Sequence, residues 1–114
     1  MARLVALDLA HEAARLVHLL CDQMPRVHHD LADQARRSAN SAVLNLSEGA
    51  GRRGRSRRYH YEVSYASAGE CFDTMVLARD VGAVRPDHAE TCDRALAALD
   101  RTRRMEWGLM RPWR

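Results

Sequence analysis

The 114-residue chain contains no lysine, a single phenylalanine and three cysteines, and each shortage excludes a class of protein. Cys21, Cys71 and Cys92 are odd in number and show no C-x-x-C spacing, so neither a disulfide framework nor a zinc site is expected. A reducing cytoplasm is therefore the predicted compartment. Asp8 and Glu12 interrupt the apolar N-terminal run, which argues against a signal peptide and against a membrane-spanning helix.

β-Branched residues are also few, whereas alanine, leucine and arginine dominate, so the composition favours helices over sheets. A chain of this length fits one domain, residues 1–114, which can bury a core without disulfides or metals. All 18 basic residues are arginine. The missing lysine indicates a GC-rich genome rather than a function, so only the clustering of the arginines is informative.

Apolar periodicity and helix-ending residues divide the chain into four predicted helices. They cover about residues 8–23, 30–48, 56–81 and 86–107. Pro25, Gly49 and Gly82 mark where the first three end. Short connections between consecutive helices are typical of antiparallel neighbours. The predicted fold is therefore all-α, an antiparallel up-down-up-down four-helix bundle.

The third predicted helix is unusual because it carries two apolar stripes. One stripe consists of Tyr59, Val63, Ala66, Glu70, Leu77 and Val81. The other consists of Tyr61, Tyr65, Ala68, Phe72 and Met75. An offset of two residues rotates one stripe by about 200° from the other, so both cannot face the same core. We expect a homo-oligomer whose subunit interface contains Tyr61, Tyr65, Phe72 and Met75; the alternative is that the tyrosines decorate a surface.

Glu70 lies within the first stripe, where an unpaired carboxylate would be costly to bury. Arg36 and Arg37 of the second predicted helix are candidate partners, and Asn45 and Glu48 are neighbours on that helix. We predict a structural polar network of these five residues that fixes helix register. An alternative pairs Glu48 with Glu70 for acid–base chemistry.

No motif in the chain indicates catalysis, a cofactor or a metal. Di-iron bundles need Glu-x-x-His on two helices. A residue other than histidine lies three positions after each candidate glutamate, Glu12, Glu62, Glu70 and Glu90. The signatures G-x-S-x-G, G-x-x-x-x-G-K and the Rossmann glycine pattern are likewise missing. We therefore expect a protein that is not an enzyme.

The densest positive charge lies just before the third predicted helix. It is an arginine cluster formed by Arg52, Arg53, Arg55, Arg57 and Arg58. Because a helix N-terminus is itself positive, guanidinium groups at this place predict a site for phosphates, and hence for RNA or DNA. Tyr59, His60 and Tyr61 beside the cluster, with Trp107 and Trp113 further along, can stack on bases, which favours RNA. The alternative is a solvated loop.

The residues leading into the arginine cluster also carry a recognisable pattern, Q-x-R-R followed by S-x-x-x-N-[IL]-x-E-G-x-G-R. It is carried by Gln34, Arg36, Arg37, Ser41, Asn45, Leu46, Glu48, Gly49, Gly51 and Arg52. Over roughly residues 8–84 the chain resembles the four-helix-bundle proteins of the 23S rRNA intervening-sequence family. The resemblance implies a homopentamer. It also implies kinship with the accessory proteins of diversity-generating retroelements, which are basic partners of nucleic acid and reverse transcriptase.

These observations together give the sequence-based hypothesis of function. The chain is predicted to be a non-enzymatic, oligomeric four-helix-bundle protein that binds RNA through the arginine cluster. The alternative is a scaffold that recruits a protein partner such as a retroelement reverse transcriptase.

Overall fold

A computed structural model describes residues 1–111 and contains four long helices. They are α1 (Ala2–Asp22), α2 (His29–Ala50), α3 (Gly54–Asp80) and α4 (Ala89–Met110). Short 3-10 turns, Arg26–His28 and Pro86–His88, precede α2 and α4. No strand occurs within residues 1–111, so the predicted all-α class with four helices is confirmed. Trp113 lies outside the described residues.

In each pair of consecutive helices, the residues further along the first helix contact residues nearer the start of the second. His18 of α1 donates from Nε2 to Asn40 Oδ1 of α2 at 2.8 Å, and Asp22 pairs with Arg36 at 2.9 Å. The same reversal holds at the next two helix pairs. The contacts there are Ser64 with Ala42, Cys71 with Ala35, Tyr65 with Arg103, and Arg79 with Asp93. The α2–α3 turn therefore lies at the same end as the start of α1 and the end of α4, and both 3-10 turns lie at the opposite end.

Small side chains fill much of the space between the helices. Ala35, Ala39, Ala42 and Leu46 follow one another at steps of four, three and four, which predicts a stripe on one face of a helix, and the structure buries all four on the inward face of α2. Cys92, Leu96 and Leu99, for which the sequence predicts the inward face of the last helix, are buried in α4. The separation of packed helices depends on the side chains at the contact, so this stripe allows α2 to lie close to its neighbours.

The structure settles which stripe of α3 faces the core. Tyr61 is 2% exposed and Met75 is 0% exposed, and both lie in the core of a single chain. Phe72 is partly buried against the core cluster that contains Met75, and Tyr65 is partly buried against a second cluster that contains Tyr61. The prediction that these four residues form a subunit interface is therefore wrong for Tyr61 and Met75, because other helices of the same chain already cover them.

The other stripe of α3 faces away from the bundle. Tyr59 is 61% exposed, Leu77 is 49% exposed and Val81 is 48% exposed. The two apolar stripes therefore lie on different sides of α3, and the stripe that contains Tyr59 is the one that solvent reaches. We call Tyr59, Leu77 and Val81 the outward stripe. Within residues 1–111, none of the helices combines the length and the apolar character needed to cross a membrane.

Candidate nucleic-acid interface

The arginine cluster begins in the tight turn between α2 and α3. Gly51 closes α2 by donating its backbone N–H to the Glu48 carbonyl oxygen at 3.2 Å. The chain then extends through Arg53, whose φ and ψ are −132° and 158°. Gly54 opens α3 with φ of +56°, a left-handed conformation that glycine adopts without a Cβ clash. The sequence therefore directs Arg52 and Arg53 into the turn and the other arginines onto the first turns of α3.

Two arginines of the cluster are paired with carboxylates. Arg52 Nε lies 3.0 Å from Glu48 Oε2, and Arg58 Nε lies 2.6 Å from Glu62 Oε1. The hydrogen bond from Arg52 lowers the pKa of Glu48 below its usual value. Both acids lie four residues from their partners, one helical turn away. Exposed pairs of this kind contribute about 0.2–1 kcal/mol, so an incoming phosphate can replace them cheaply.

The other three arginines keep their charge uncompensated. Arg57 donates from Nε to the Arg52 carbonyl oxygen at 2.7 Å, a bond that orients the guanidinium without neutralising it. Arg53 and Arg55 are exposed, and neither pairs with an acid within residues 1–111. The turn and the start of α3 therefore carry two exposed uncompensated cations, Arg53 and Arg55, and a partly exposed one, Arg57.

These cations lie where a helix disfavours them. The first turn of α3 contains no acidic residue, and Arg53 at its N-terminus makes no side-chain capping bond. Each cation at the positive end of a helix dipole costs about 0.3–1 kcal/mol at low ionic strength, whereas an anion there is stabilised. Phosphate binding would relieve this unfavourable arrangement.

A line of hydrogen bonds between α2 and α3 leads to the cluster. The Ser41 and Ser67 hydroxyls are 2.7 Å apart, and Asn45 Nδ2 donates to the Ser41 carbonyl oxygen at 3.0 Å. Asn45 Oδ1 therefore accepts from His60 Nδ1 at 3.0 Å, which assigns the proton to that ring nitrogen. The sequence did not predict the hydrogen bonds of Ser67 and His60 to α2. The signal for Ser41 was its spacing of four from Asn45.

The predicted polar network around Glu70 does not form. Glu70 is exposed because it lies on the outer side of α3, where water solvates its carboxylate. Arg36 instead pairs with Asp22 at 2.9 Å, and Arg37 donates to Gln34 Oε1 at 3.1 Å. Asn45 and Glu48 have the separate partners described above. The prediction failed because it placed the wrong face of α3 in the core.

The buried carboxylate belongs to Glu106 of α4, which sequence reasoning missed. Glu106 is 0% exposed, and neither carboxylate oxygen has a hydrogen-bond partner within residues 1–111. The nearby Ser64 hydroxyl gives its proton to the Ala42 carbonyl oxygen at 2.6 Å. Burial raises the pKa of Glu106 to about 7, against the smaller opposing effects of Ser64 and of the Arg103 charge. The core spacing Leu99, Thr102, Glu106, Met110 was the available signal.

The fold gathers positive charge at one end of the molecule. When each helix is divided at its midpoint, the half containing residues 1–11, 41–67 and 100–111 has ten arginines and five acids. The half containing residues 12–40 and 68–99 has seven arginines and ten acids. The arginine cluster lies in the positive half. Such a polarised field attracts polyanions and orients them towards that end.

Fold and site together define a class, an all-α four-helix protein with an arginine-rich turn at its positive end. Within residues 1–111, no group of three or more His, Cys, Asp or Glu side chains is placed to hold a metal ion.

The sequence profile of the family described as 23S rRNA-intervening sequence protein matches residues 2–105, and the chain belongs to that family. Among curated proteins, none matches the chain.

Proposed function

We propose that this protein is a non-enzymatic, cytoplasmic RNA-binding bundle that takes the phosphate backbone of RNA on the arginine cluster. The observation that carries the proposal is the pair Arg53 and Arg55, exposed and uncompensated at the N-terminus of α3. The name of the family refers to 23S rRNA, which supports RNA as the nucleic acid.

Binding of this kind should depend little on base sequence. Guanidinium groups that contact phosphates neutralise charge and release counterions, but they do not read base edges. For a single strand, the logarithm of the affinity falls with the logarithm of the salt concentration with a slope of about −0.7 per phosphate contact. Loss of two contacts should therefore make the slope shallower by about 1.4.

The experiment compares two double variants that remove the same charge. Arg53→Ala with Arg55→Ala alters the cluster, whereas Arg26→Ala with Arg85→Ala alters exposed arginines at the opposite end of the bundle. Fluorescence anisotropy of a labelled single-stranded RNA, titrated between about 50 and 200 mM salt, gives both slopes. We expect a shallower slope for the cluster variant and an almost unchanged slope for the control. Equal slopes in the wild type and the cluster variant would refute the proposal.

The proposal includes self-association of up-down-up-down bundles through the outward stripe of α3. Tyr59, Leu77 and Val81 are exposed apolar side chains on one side of α3, with the exposed Glu70 between Tyr59 and Leu77, and water is a poor environment for the apolar side chains. Assembly would cover that surface and bring several arginine clusters onto one particle. An accessory role beside a polymerase would instead require the outward stripe to bind a different protein.

A further inference from the structure

A groove between α3 and α4 lies in the positive half of the molecule. Its volume is about 420 Å³, within the range of about 300–1,000 Å³ typical of ligand pockets. The lining residues are Tyr65, Asp100, Arg103, Arg104 and Trp107. Two aromatic rings and two guanidinium groups therefore face one open space.

Tyr65 and Arg103, at the base of the groove, are held in place by contacts within the protein. Arg103 Cζ lies 4.2 Å from the centroid of the Tyr65 ring, and Arg103 Nε donates to the Tyr65 carbonyl oxygen at 3.4 Å. A Cβ at Gly69 would lie 3.1 Å from the guanidinium, so glycine there leaves the space in which the group lies. Within residues 1–111 no carboxylate comes within ion-pair distance of Arg103. The stacked guanidinium keeps its charge.

Trp107 forms a wall that solvent still reaches. Its ring centroid is 5.9 Å from that of Tyr65, the planes are inclined by 38°, and the residue is 46% exposed. At the rim, Arg104 Nη2 pairs with Asp100 Oδ2 at 2.9 Å, with 72% of the Arg104 side chain exposed. The groove therefore combines a half-exposed tryptophan with a solvent-exposed cation at its edge.

We infer that this groove takes an unpaired base of single-stranded RNA, an inference that rests on the proposed function. Aromatic rings and arginine planes stack on bases irrespective of base identity, and only an unpaired base can reach them. The preorganised Tyr65–Arg103 stack spares the cost of ordering those side chains on binding.

The position of the groove relative to the arginine cluster fits one continuous strand. Arg58 and Tyr65 are seven residues apart on α3, so they lie on the same face of the helix and about 10 Å apart along its axis. A strand whose phosphates contact the arginine cluster can therefore place a base in the groove a few nucleotides further on. The cluster would provide charge and the groove would select unpaired strands.

The experiment separates base stacking in the groove from phosphate contacts at the arginine cluster by using two matched probes. The probes are a single-stranded oligouridine RNA and an abasic ribose-phosphate oligomer of the same length and charge. Stacking on aromatic residues typically strengthens binding about tenfold per base, so the oligouridine should bind the wild type about tenfold tighter than the abasic strand. Trp107→Leu and the charge-conserving Arg103→Lys should each remove most of that ratio while leaving the salt slope unchanged. Circular dichroism checks that each variant is folded.

The possible results are distinguishable. Equal affinity of the wild type for both probes, with a steep salt slope, would overturn the groove and leave the arginine cluster in place. Binding of neither probe would overturn the proposed function together with the groove. Loss of self-association in folded Trp107→Leu, with an unchanged ratio between the probes, would assign the groove to a contact between copies and overturn the inference.

Discussion

Replacing Glu106 by glutamine should alter the pH dependence of stability, because this carboxylate is buried without a hydrogen-bond partner among the described residues. Burial raises its pKa from the ordinary value of 4.5 to about 7. Between these two values the folded state holds a proton that the unfolded state has lost. The free energy of unfolding of the wild type should therefore fall as the pH rises through this window.

The size of the effect follows from the two pKa values. A pKa displacement from 4.5 to about 7 corresponds to a loss of about 3 kcal/mol in the free energy of unfolding. This loss is complete above the pKa of the folded state and absent below the pKa of the unfolded state. Small domains have about 5–15 kcal/mol of stability in total, so the loss should be readily measured. Glutamine has nearly the same shape and no titration in this range.

The assay is urea unfolding of the wild type and Glu106→Gln at a series of pH values. The difference in unfolding free energy, wild type minus variant, should be constant below about pH 4.5, fall by about 3 kcal/mol, and level off above about pH 7. Glu70→Gln, the same substitution at an exposed position of α3, is the control for the change of side chain. A pH-independent difference for Glu106→Gln would refute the reasoning.

Two further predictions concern packing and assembly. Gly49→Ala should lower the free energy of unfolding by about 1–3 kcal/mol, because the new methyl group would lie 2.7 Å from two carbons of the Tyr61 ring. Gly108→Ala is the control and should raise stability by about 0.5–1 kcal/mol, since nothing lies within 4 Å of its Cβ position. Thermal denaturation measures both variants, and equal effects of the two substitutions would contradict this packing. In sedimentation velocity, Leu77→Glu should reduce self-association. Leu19→Glu on α1 should not, although Leu19 is 50% exposed and Leu77 is 49% exposed. If the wild type sediments as a single 12.9 kDa species, the proposal that the outward stripe is a subunit interface is refuted.

Much of the architecture could be read from local patterns. The stripe Ala35, Ala39, Ala42 and Leu46 predicted the inward face of α2, and the structure buries all four. Pro25 predicted the end of α1, which the structure places at Asp22. These patterns are reliable because helix geometry repeats every 3.6 residues wherever the helix lies in the fold.

The candidate site was predicted only in part. The sequence located the arginine cluster and its glycine turn, but it did not distinguish the paired Arg52 and Arg58 from the uncompensated Arg53 and Arg55. Residues four apart on a helix are neighbours in space, so Glu48 and Glu62, which lie outside the cluster in the sequence, pair with Arg52 and Arg58 and reduce its exposed charge. The sequence named Trp107 as a residue that can stack on bases, but it did not reveal the groove, because α3 and α4 each supply only part of it.

By itself, the sequence predicted four helices, the turns between them and the place of the arginine cluster, since periodicity, turn residues and charge density are local properties of the chain. The bounds differ: α1 begins at Ala2 rather than near residue 8, and α2 continues through Gly49 to Ala50. Only the tertiary structure decided which stripe of α3 is buried and that Glu106, rather than Glu70, is the carboxylate in the core. Burial depends on where the other helices lie, and a helix with two apolar sides carries no local signal that says which side its neighbours will cover.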